Sequence, residues 1–237
     1  MVALLGHSAS SHRPRPDLVQ SAASSKGPTA LTQTVAMGTP ITSGSALILV
    51  VAAPLNYANY VEISGGGVPF VWLTGLNNRE WQVDYYRGYG ASGGGSSVSI
   101  GFRSPGSEAI AQLSEWTRLG PSTTNEVDFA GAFSVGSGTG TAADTGAASS
   151  SHLPPQGGLC IGHCLRQVRS EPTAGPTNGW TPLIETKGGA AFQLSSAYKV
   201  QVDAEPTAHS TQWTFESKTS WSAGFLILKA APPSPSA

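Results

Sequence analysis

The feature that most constrains the fold of this chain is a series of strand-like segments that occurs twice. Each segment is a short apolar or alternating run bounded by Gly, Pro, Asn or Ser clusters, which is the pattern of a β-strand. The first series consists of residues 46–53, 68–73, 80–89, 97–102 and 109–116. The second series consists of residues 158–167, 181–185, 191–200, 211–217 and 221–230. The 29 glycines and 17 prolines suit many turns and disfavour long helices, so we predict an all-β protein.

The two series match in order and in spacing. Corresponding residues are separated by 111 to 114 positions in four pairs: Ala46 and Leu159, Val68 and Thr181, Val83 and Leu194, and Val98 and Gln212. This indicates an internal repeat of about 112 residues. Two such halves form either tandem sandwiches or one two-sheet sandwich with pseudo-symmetry. We favour a single two-sheet β-sandwich, jelly-roll-like and of about ten strands, because neither half has a full set of apolar residues of its own.

The two ends of the chain differ in composition from the series between them. Residues 1–40 are rich in Ser, Ala, Thr and Pro and have little apolar surface to bury by themselves, which predicts an extended N-terminal arm that neighbouring molecules order. Residues 231–237 form a proline-rich tail that cannot continue a sheet.

The sandwich is expected between these ends, over residues 41–230. Its half-repeats are placed near 43–117 and 156–230, and residues 118–155 connect them. Much of this connector is almost free of charge and of large side chains. Such a segment is either a flexible link or a surface excursion that a partner orders, and its sequence does not decide between them.

Charge and hydropathy exclude several functions. Charged residues make up only 11% of the chain and its net charge is -1, which argues against binding to nucleic acid or to anionic membranes. The longest strongly apolar run, residues 46–53, is too short to cross a bilayer as a helix. Arg13 and Arg15 follow the short apolar stretch at the N-terminus, whereas a signal peptide has its positive charges first. We therefore expect synthesis in a cytoplasm without a signal peptide, and no membrane insertion.

The glycine-rich stretch 87–102 matches two catalytic or cofactor motifs. Its glycines and Ser92 fit both the dinucleotide pattern G-x-G-x-x-G and the hydrolase pattern G-x-S-x-G. Both motifs require a helix after the turn, but "SSVSIGF" alternates as a strand. We interpret the stretch as a hairpin loop, and we expect no enzyme activity, no catalytic residue and no cofactor.

The two cysteines are a weak candidate for a metal site. Cys160 and Cys164 share one face of a predicted strand at roughly 13 Å from each other, which is beyond disulfide reach. His163 points to the opposite face of that strand. We therefore favour two buried thiols over a metal site, and the histidines elsewhere have no metal-ligand spacing.

Acidic pairs and aromatic residues are the remaining chemical candidates. The acidic pairs are Glu80 and Asp84, Glu126 and Asp128, and Asp203 and Glu205. Such pairs can serve as glycosidase carboxylates or calcium ligands, but solvated strand faces are the favoured interpretation. Alternation along the final segments predicts core positions for Trp213, Phe215, Trp221 and Phe225.

Five tyrosines are the candidates for a surface contact. Tyr57 and Tyr60 lie in a predicted loop, where exposed rings can stack on sugars or anchor a protein partner. Tyr85 and Tyr86 are adjacent on a strand and face opposite sides, so one of them is expected at the surface together with Tyr89.

Four short patterns carry a resemblance to a known family. They are Gly44 before an aliphatic strand, the Gly179–Trp180 turn, the strand at Ala197–Lys199 and the final strand at Trp221–Ala223. In this order, and over roughly residues 30–230, the chain resembles a β-sandwich family of minor tail and virion-surface proteins of tailed bacteriophages. The segment 160–164 departs from the aliphatic strand of that family, which leaves the role of its thiols open.

The resemblance implies a function without catalytic residues. It predicts a structural protein of a bacteriophage virion, in the minor tail, the tail tip or the capsid surface, that assembles through its N-terminal arm. The implied partners are other virion proteins and further copies of the chain, and a host-surface glycan is an additional candidate. The alternative is a carbohydrate-binding module of a bacterial surface or secreted protein, which the tyrosines motivate.

Overall fold

The computed structural model describes residues 15–54, 60–77, 81–103, 105, 108–119, 134–147, 158–167, 172–188, 192–201 and 210–229. These residues form strands and no helix, which confirms the all-β class. The strands are β1 (Asp17–Lys26), β2 (Thr32–Ala36), β3 (Ala46–Pro54), β4 (Tyr60–Gly65), β5 (Val71–Asn77), β6 (Trp81–Gly88), β7 (Ser97–Phe102), β8 (Ala109–Thr117), β9 (Ser134–Asp144), β10 (Gly158–Gln167), β11 (Pro172–Ala174), β12 (Thr181–Gly188), β13 (Phe192–Gln201) and β14 (Gln212–Lys229).

The strands form three antiparallel sheets. Sheet 1 has the order β1-β8-β3-β6-β5, and sheet 2 has the order β2-β7-β4. Sheet 3 has the order β11-β14-β10-β13-β12, and β9 also pairs with β14. The described residues thus contain three sheets and fourteen strands, where the sequence predicted two sheets and about ten strands.

Sheets 1 and 3 pack face to face across a shared hydrophobic core, which is the predicted β-sandwich arrangement. Side chains such as Ile48 and Trp116 from sheet 1 meet Leu159 and Leu226 from sheet 3 in this core. A second core lies between sheets 1 and 2, and a third lies on the opposite side of sheet 3. Strand β3 is therefore buried on both faces, which explains its unbroken apolar sequence.

The internal repeat is visible in the pairing of the strands. The order β1-β8-β3-β6-β5 in the first half corresponds to β9-β14-β10-β13-β12 in the second. Corresponding residues also occupy the same places in the ladders. Ala52 lies opposite Val83, and Leu165 lies opposite Leu194. Both pairs point into the shared core, so each half contributes the same face to it.

Both halves also contain the same bulge. The register shifts between Trp72 and Thr74 in β5, and between Pro182 and Ile184 in β12. The extra residue of each bulge packs against the shared core: Leu73 in the first half and Leu183 in the second. An extra residue at the same place in two edge strands is a feature of the repeat, since bulges have specific positions within a fold.

Two of the four predicted residue correspondences are displaced. Val71 lies opposite Arg87 and Thr181 lies opposite Tyr198, the equivalent residue of β13, so Val71, and not Val68, is the counterpart of Thr181. Gly65 lies against the main chain of Val98, and Gly175 lies in the same way against that of Trp213, so Val98 corresponds to Trp213 and not to Gln212. Loops of different length between the strands cause both displacements.

The predicted arm at residues 1–40 is wrong from Asp17 onward. Strand β1 pairs with β8 along its length, and β2 pairs with β7. Strand pairing uses main-chain groups and does not require apolar side chains, which is why the Ser- and Ala-rich composition did not indicate it. Residues 1–14 lie outside the described part of the chain.

The predicted connector at residues 118–155 also contains a strand. β9 pairs with β14 as β1 pairs with β8: Ser134 lies opposite Phe225, and Ala22 lies opposite Leu113. The two halves therefore extend from 17 to 117 and from 134 to 229. The two last predicted strands are one continuous strand, β14, whereas their counterparts are two separate strands, β7, which ends at Phe102, and β8, which begins at Ala109.

Candidate functional site

The structure does not bring the five predicted tyrosines together. Tyr57 and the side chain of Tyr60 lie outside the described part of the protein. The prediction of a surface contact is wrong for Tyr85, which is fully buried in the shared core. Its hydroxyl is hydrogen-bonded to Nδ1 of His163 on the facing sheet. Sheet packing, which the sequence does not show, decided which of the two adjacent tyrosines is buried.

The two other tyrosines are half-buried on opposite faces of the sheet. Tyr86 packs against the core between sheets 1 and 2, and burial together with the negative charge of Asp84 raises its pKa. Tyr89 packs against the shared core. The guanidinium of Arg87 lies 4.6 Å from the centre of the Tyr89 ring and donates a hydrogen bond of 3.2 Å to its hydroxyl.

The exposed aromatic residue in the described part of this region is Trp72. The residue is 57% exposed. The indole Nε1–H donates a hydrogen bond of 3.1 Å to Oδ1 of Asp84. The Nε2 amide of Gln82 donates a bond of 2.7 Å to Oδ2 of the same carboxylate. We call Trp72, Gln82, Asp84 and Tyr86 the Trp72 site.

The local sequence explains why these residues meet. Gln82, Asp84 and Tyr86 alternate along β6, so their side chains lie on one face of the sheet. In the neighbouring strand, Trp72 lies opposite Tyr86, and Gly75 lies opposite Asp84. A Cβ atom on Gly75 would overlap the carboxylate of Asp84, so glycine leaves the room that this carboxylate occupies.

Asp84 corrects the interpretation of the acidic pairs as solvated faces. Only 1% of its surface is exposed. Burial raises the pKa of this carboxyl, and the hydrogen bonds from Gln82 and Trp72 act in the opposite direction. The other members of the three acidic pairs lie outside the described residues: Glu80, Glu126, Asp128, Asp203 and Glu205.

The second half carries a carboxylate at the equivalent place, but from the other strand. Gln193 and Ser195 correspond to Gln82 and Asp84, and Glu185 corresponds to Gly75. Oε1 of Glu185 accepts hydrogen bonds from the amide of Gln193, from Oγ of Ser195 at 3.4 Å and from Nη2 of Arg166 at 2.8 Å. The glutamine is common to both halves, whereas the acidic residue has changed strand.

Glu185 borders a small cleft, which we call the Glu185 cleft. Its volume is about 130 Å³ and its lining residues are Gly175, Pro176, Pro182, Leu183, Ile184, Glu185, Ser195, Ser196 and Trp213. The Arg166 side chain is fully buried beside it, and its guanidinium lies 5.5 Å from the centre of the Phe215 ring. Because the Glu185 side chain is 45% exposed, this ion pair is partly screened by solvent.

The cysteines occupy core positions, as predicted. Cys160 and Cys164 are free, buried thiols in the third core, and burial raises the pKa of each to about 12. His163 points to the opposite face, and burial lowers its pKa to about 3. Within the described residues, no group of three or more His, Cys, Asp or Glu side chains could hold a metal ion.

The glycine-rich stretch is a turn, but it is not a hairpin. Gly90, Gly93 and Gly94 have positive φ values, which glycine adopts without strain. The following segment is strand β7, as predicted, yet it belongs to sheet 2 while β6 belongs to sheet 1. The stretch therefore crosses from one sheet to the other, and the helix that either motif requires is replaced by a strand.

Comparisons with family models, with curated proteins and with solved structures found no match to this chain. Among the residues that the structure describes, none belongs to a helix that is long and apolar enough to cross a membrane.

Proposed function

We propose that this protein is a non-enzymatic structural component of a bacteriophage virion, in the minor tail, the tail tip or the capsid surface. The observation that supports this most is the arrangement of strands β1 to β8. They are divided between two antiparallel sheets, and the first strand lies beside the last. This is a jelly-roll-like order, an architecture that occurs in viral capsid proteins and in lectins.

The packing of the two halves against each other also supports a role as a structural building block. Both halves present the same face to the shared core, as the two subunits of a symmetric dimer do. This leaves two different outer faces on one compact body. Strand β1, at one edge of sheet 1, has a bulge whose extra residue, Val19, is 43% exposed. Other virion proteins or further copies of this chain are the partners that this proposal requires.

Particle association of truncated proteins tests the proposal. We expect full-length protein to sediment with virions from the strain that encodes it, and a protein that begins at Asp17 to remain folded but unbound. A protein that begins at Pro28 lacks β1 and serves as a control for loss of structure, because β1 covers the edge of β8. Absence of the full-length protein from purified virions would contradict the proposal.

A carbohydrate-binding module is the second candidate function. It is favoured by one observation, the exposed indole of Trp72 above a buried carboxylate. The tyrosines that suggested this function in the sequence do not supply such a surface in the described structure, because Tyr85 is buried and Tyr89 packs on the shared core.

A further inference from the structure

The exposed part of Trp72 is a carbon surface with a fixed orientation. An indole has a single hydrogen-bond donor, and Trp72 uses it on Asp84. More than half of the residue is exposed, and because the N–H group is already used, the part of the ring that meets solvent is apolar. Asp84 also accepts a hydrogen bond from Gln82, so the carboxylate that orients the ring is buried and is hydrogen-bonded at both oxygens.

A polar group lies beside this surface. Gln82 is partly exposed and spends one amide hydrogen on Asp84, which leaves its second hydrogen and its carbonyl oxygen for another partner. Tyr86, directly opposite Trp72 in the ladder, adds a half-buried ring on the same face. The site thus combines an aromatic platform with an amide that both donates and accepts.

The surroundings of Trp72 do not resemble a protein interface. Among the described residues, the exposed large apolar side chains are Val19, Leu31, Val71 and Trp72. Val71 adjoins Trp72 in β5, but successive residues of a strand point to opposite faces. Among the described side chains on its face of β5 and β6, Trp72 is therefore the one large apolar group with high exposure, whereas a protein-binding surface presents a contiguous exposed patch.

We propose that the Trp72 site binds a pyranose ring of a surface glycan. The apolar C–H face of the sugar stacks on the indole, and its hydroxyl groups exchange hydrogen bonds with the Gln82 amide. Asp84 acts as a positioning residue, because it holds both contacting side chains and is itself inaccessible. This inference deepens the second candidate function and does not depend on the virion role.

A titration followed by nuclear magnetic resonance tests the site directly. A glycan array first selects ligands, and ¹⁵N-labelled full-length protein is then titrated with methyl glycosides of glucose, galactose, mannose and N-acetylglucosamine and with the array hits. We expect the indole N–H signal of Trp72, assigned by its loss in Trp72→Ala, to shift saturably. Trp72→Ala should weaken binding by at least about tenfold.

Two further variants distinguish the platform from a general loss of structure. Val71→Ala removes an equally exposed neighbour on the opposite face and should leave affinity unchanged. Asp84→Asn should move the Trp72 indole signal in the absence of sugar and weaken binding severalfold, which a merely structural residue would not do.

The proposal would be overturned by the absence of both an array hit and a saturable shift, by unchanged affinity in Trp72→Ala, or by equal losses of affinity in Trp72→Ala and Val71→Ala. Loss of virion association in Trp72→Ala without any sugar binding would identify a protein contact instead, and would also overturn it. Retained virion association together with absent sugar binding would reject this site and leave the structural role intact.

Discussion

On the faces that point away from the shared core, the two halves carry different side chains at equivalent ladder positions. In the first half, Gly75 makes room for a carboxylate from β6, and the neighbouring Trp72 is an exposed platform. In the second half the carboxylate of Glu185 comes from β12, and the residue in the place of Trp72 is Pro182, at the rim of a cleft. A carboxylate that accepts a hydrogen bond from a glutamine is thus common to both halves, although the strand that supplies the carboxylate differs.

The interiors of the two halves differ in a related way. Strand β3 is entirely aliphatic, whereas its counterpart β10 contains cysteine, histidine and arginine. The ladder places Cys164, His163 and Arg166 where the first half has Val51, Val50 and Ala53. The same backbone arrangement therefore accepts polar side chains wherever a partner on another strand is available.

The largest expected effect concerns the cores of the two halves. Leu113 and Phe225 are equivalent buried residues, in the second and third core respectively. We expect Leu113→Ala to lower the free energy of unfolding by about 2–5 kcal/mol and Phe225→Ala by about 3–5 kcal/mol. Because the halves share a core, urea denaturation followed by fluorescence should show one transition for each variant. Two transitions, with only the mutated half shifted, would mean that the halves are independent.

Replacing Arg166 with the alanine of the first half should have the next largest effect. The change removes the buried side chain that packs near Phe215 and the hydrogen bond of 2.9 Å that Nη1 of Arg166 donates to Oγ of Ser195. We therefore expect a loss of about 2–4 kcal/mol in the free energy of unfolding, measured by urea denaturation. Glu185→Gln keeps an acceptor and removes the charge, and should change stability by less than about 1 kcal/mol. Equal losses in both variants would mean that the ion pair with Glu185, and not the packing of Arg166, supplies most of the stability.

His163 should make the protein sensitive to acid. Its pKa is about 3 in the folded protein, against about 6.5 in an unfolded chain. Between these values the unfolded state binds the proton, so stability falls as the pH drops, by at most about 1.4 kcal/mol per pH unit. The double variant Tyr85→Phe, His163→Val carries the valine of the first half at position 163 and cannot bind this proton. Between pH 7 and pH 5 it should therefore lose about 2 kcal/mol less of its free energy of unfolding than the native protein does. An unchanged acid dependence in denaturation curves would contradict this.

Gly75→Ala should disrupt the Trp72 site locally. The new methyl group would displace the buried Asp84 carboxylate from Trp72 and Gln82, so we expect a loss of about 1–2 kcal/mol and a change in tryptophan fluorescence. Asp84→Ser introduces the residue of the second half and should make Gly75→Ala nearly neutral in the double mutant. Additive losses in this cycle would mean that the two residues do not interact.

The cysteines should show the smallest effect. Cys164→Val restores the residue of the first half and should change stability by less than about 1.5 kcal/mol. In the native protein, both thiols should react with a disulfide reagent at pH 8 only as fast as the protein unfolds, since burial raises their pKa to about 12. Rapid labelling without denaturant would contradict this.

Several elements of this protein followed from local patterns. The alternation and the turn residues predicted the strands at 97–102 and 158–167 with the observed bounds. The spacing of the segments predicted that Ala46 corresponds to Leu159 and Val83 to Leu194. In the structure these residues occupy equivalent ladder positions of the two halves. The strand bounds depend on side chains within a few positions of one another, and the correspondences depend on the order and spacing of such segments; both kinds of pattern are present in the sequence.

Tertiary structure decided the features that depend on distant strands. Residues 17–36 carry no strong apolar pattern, and their strands exist because β8 and β7 offer free main-chain groups. Tyr85 is buried because its side of β6 faces sheet 3, whereas Trp72 is exposed because β5 is the edge of sheet 1. The sequence of a strand shows which side chains share a face, but where both faces carry large side chains it does not show which face is covered. The packing of a second sheet determines which face meets solvent.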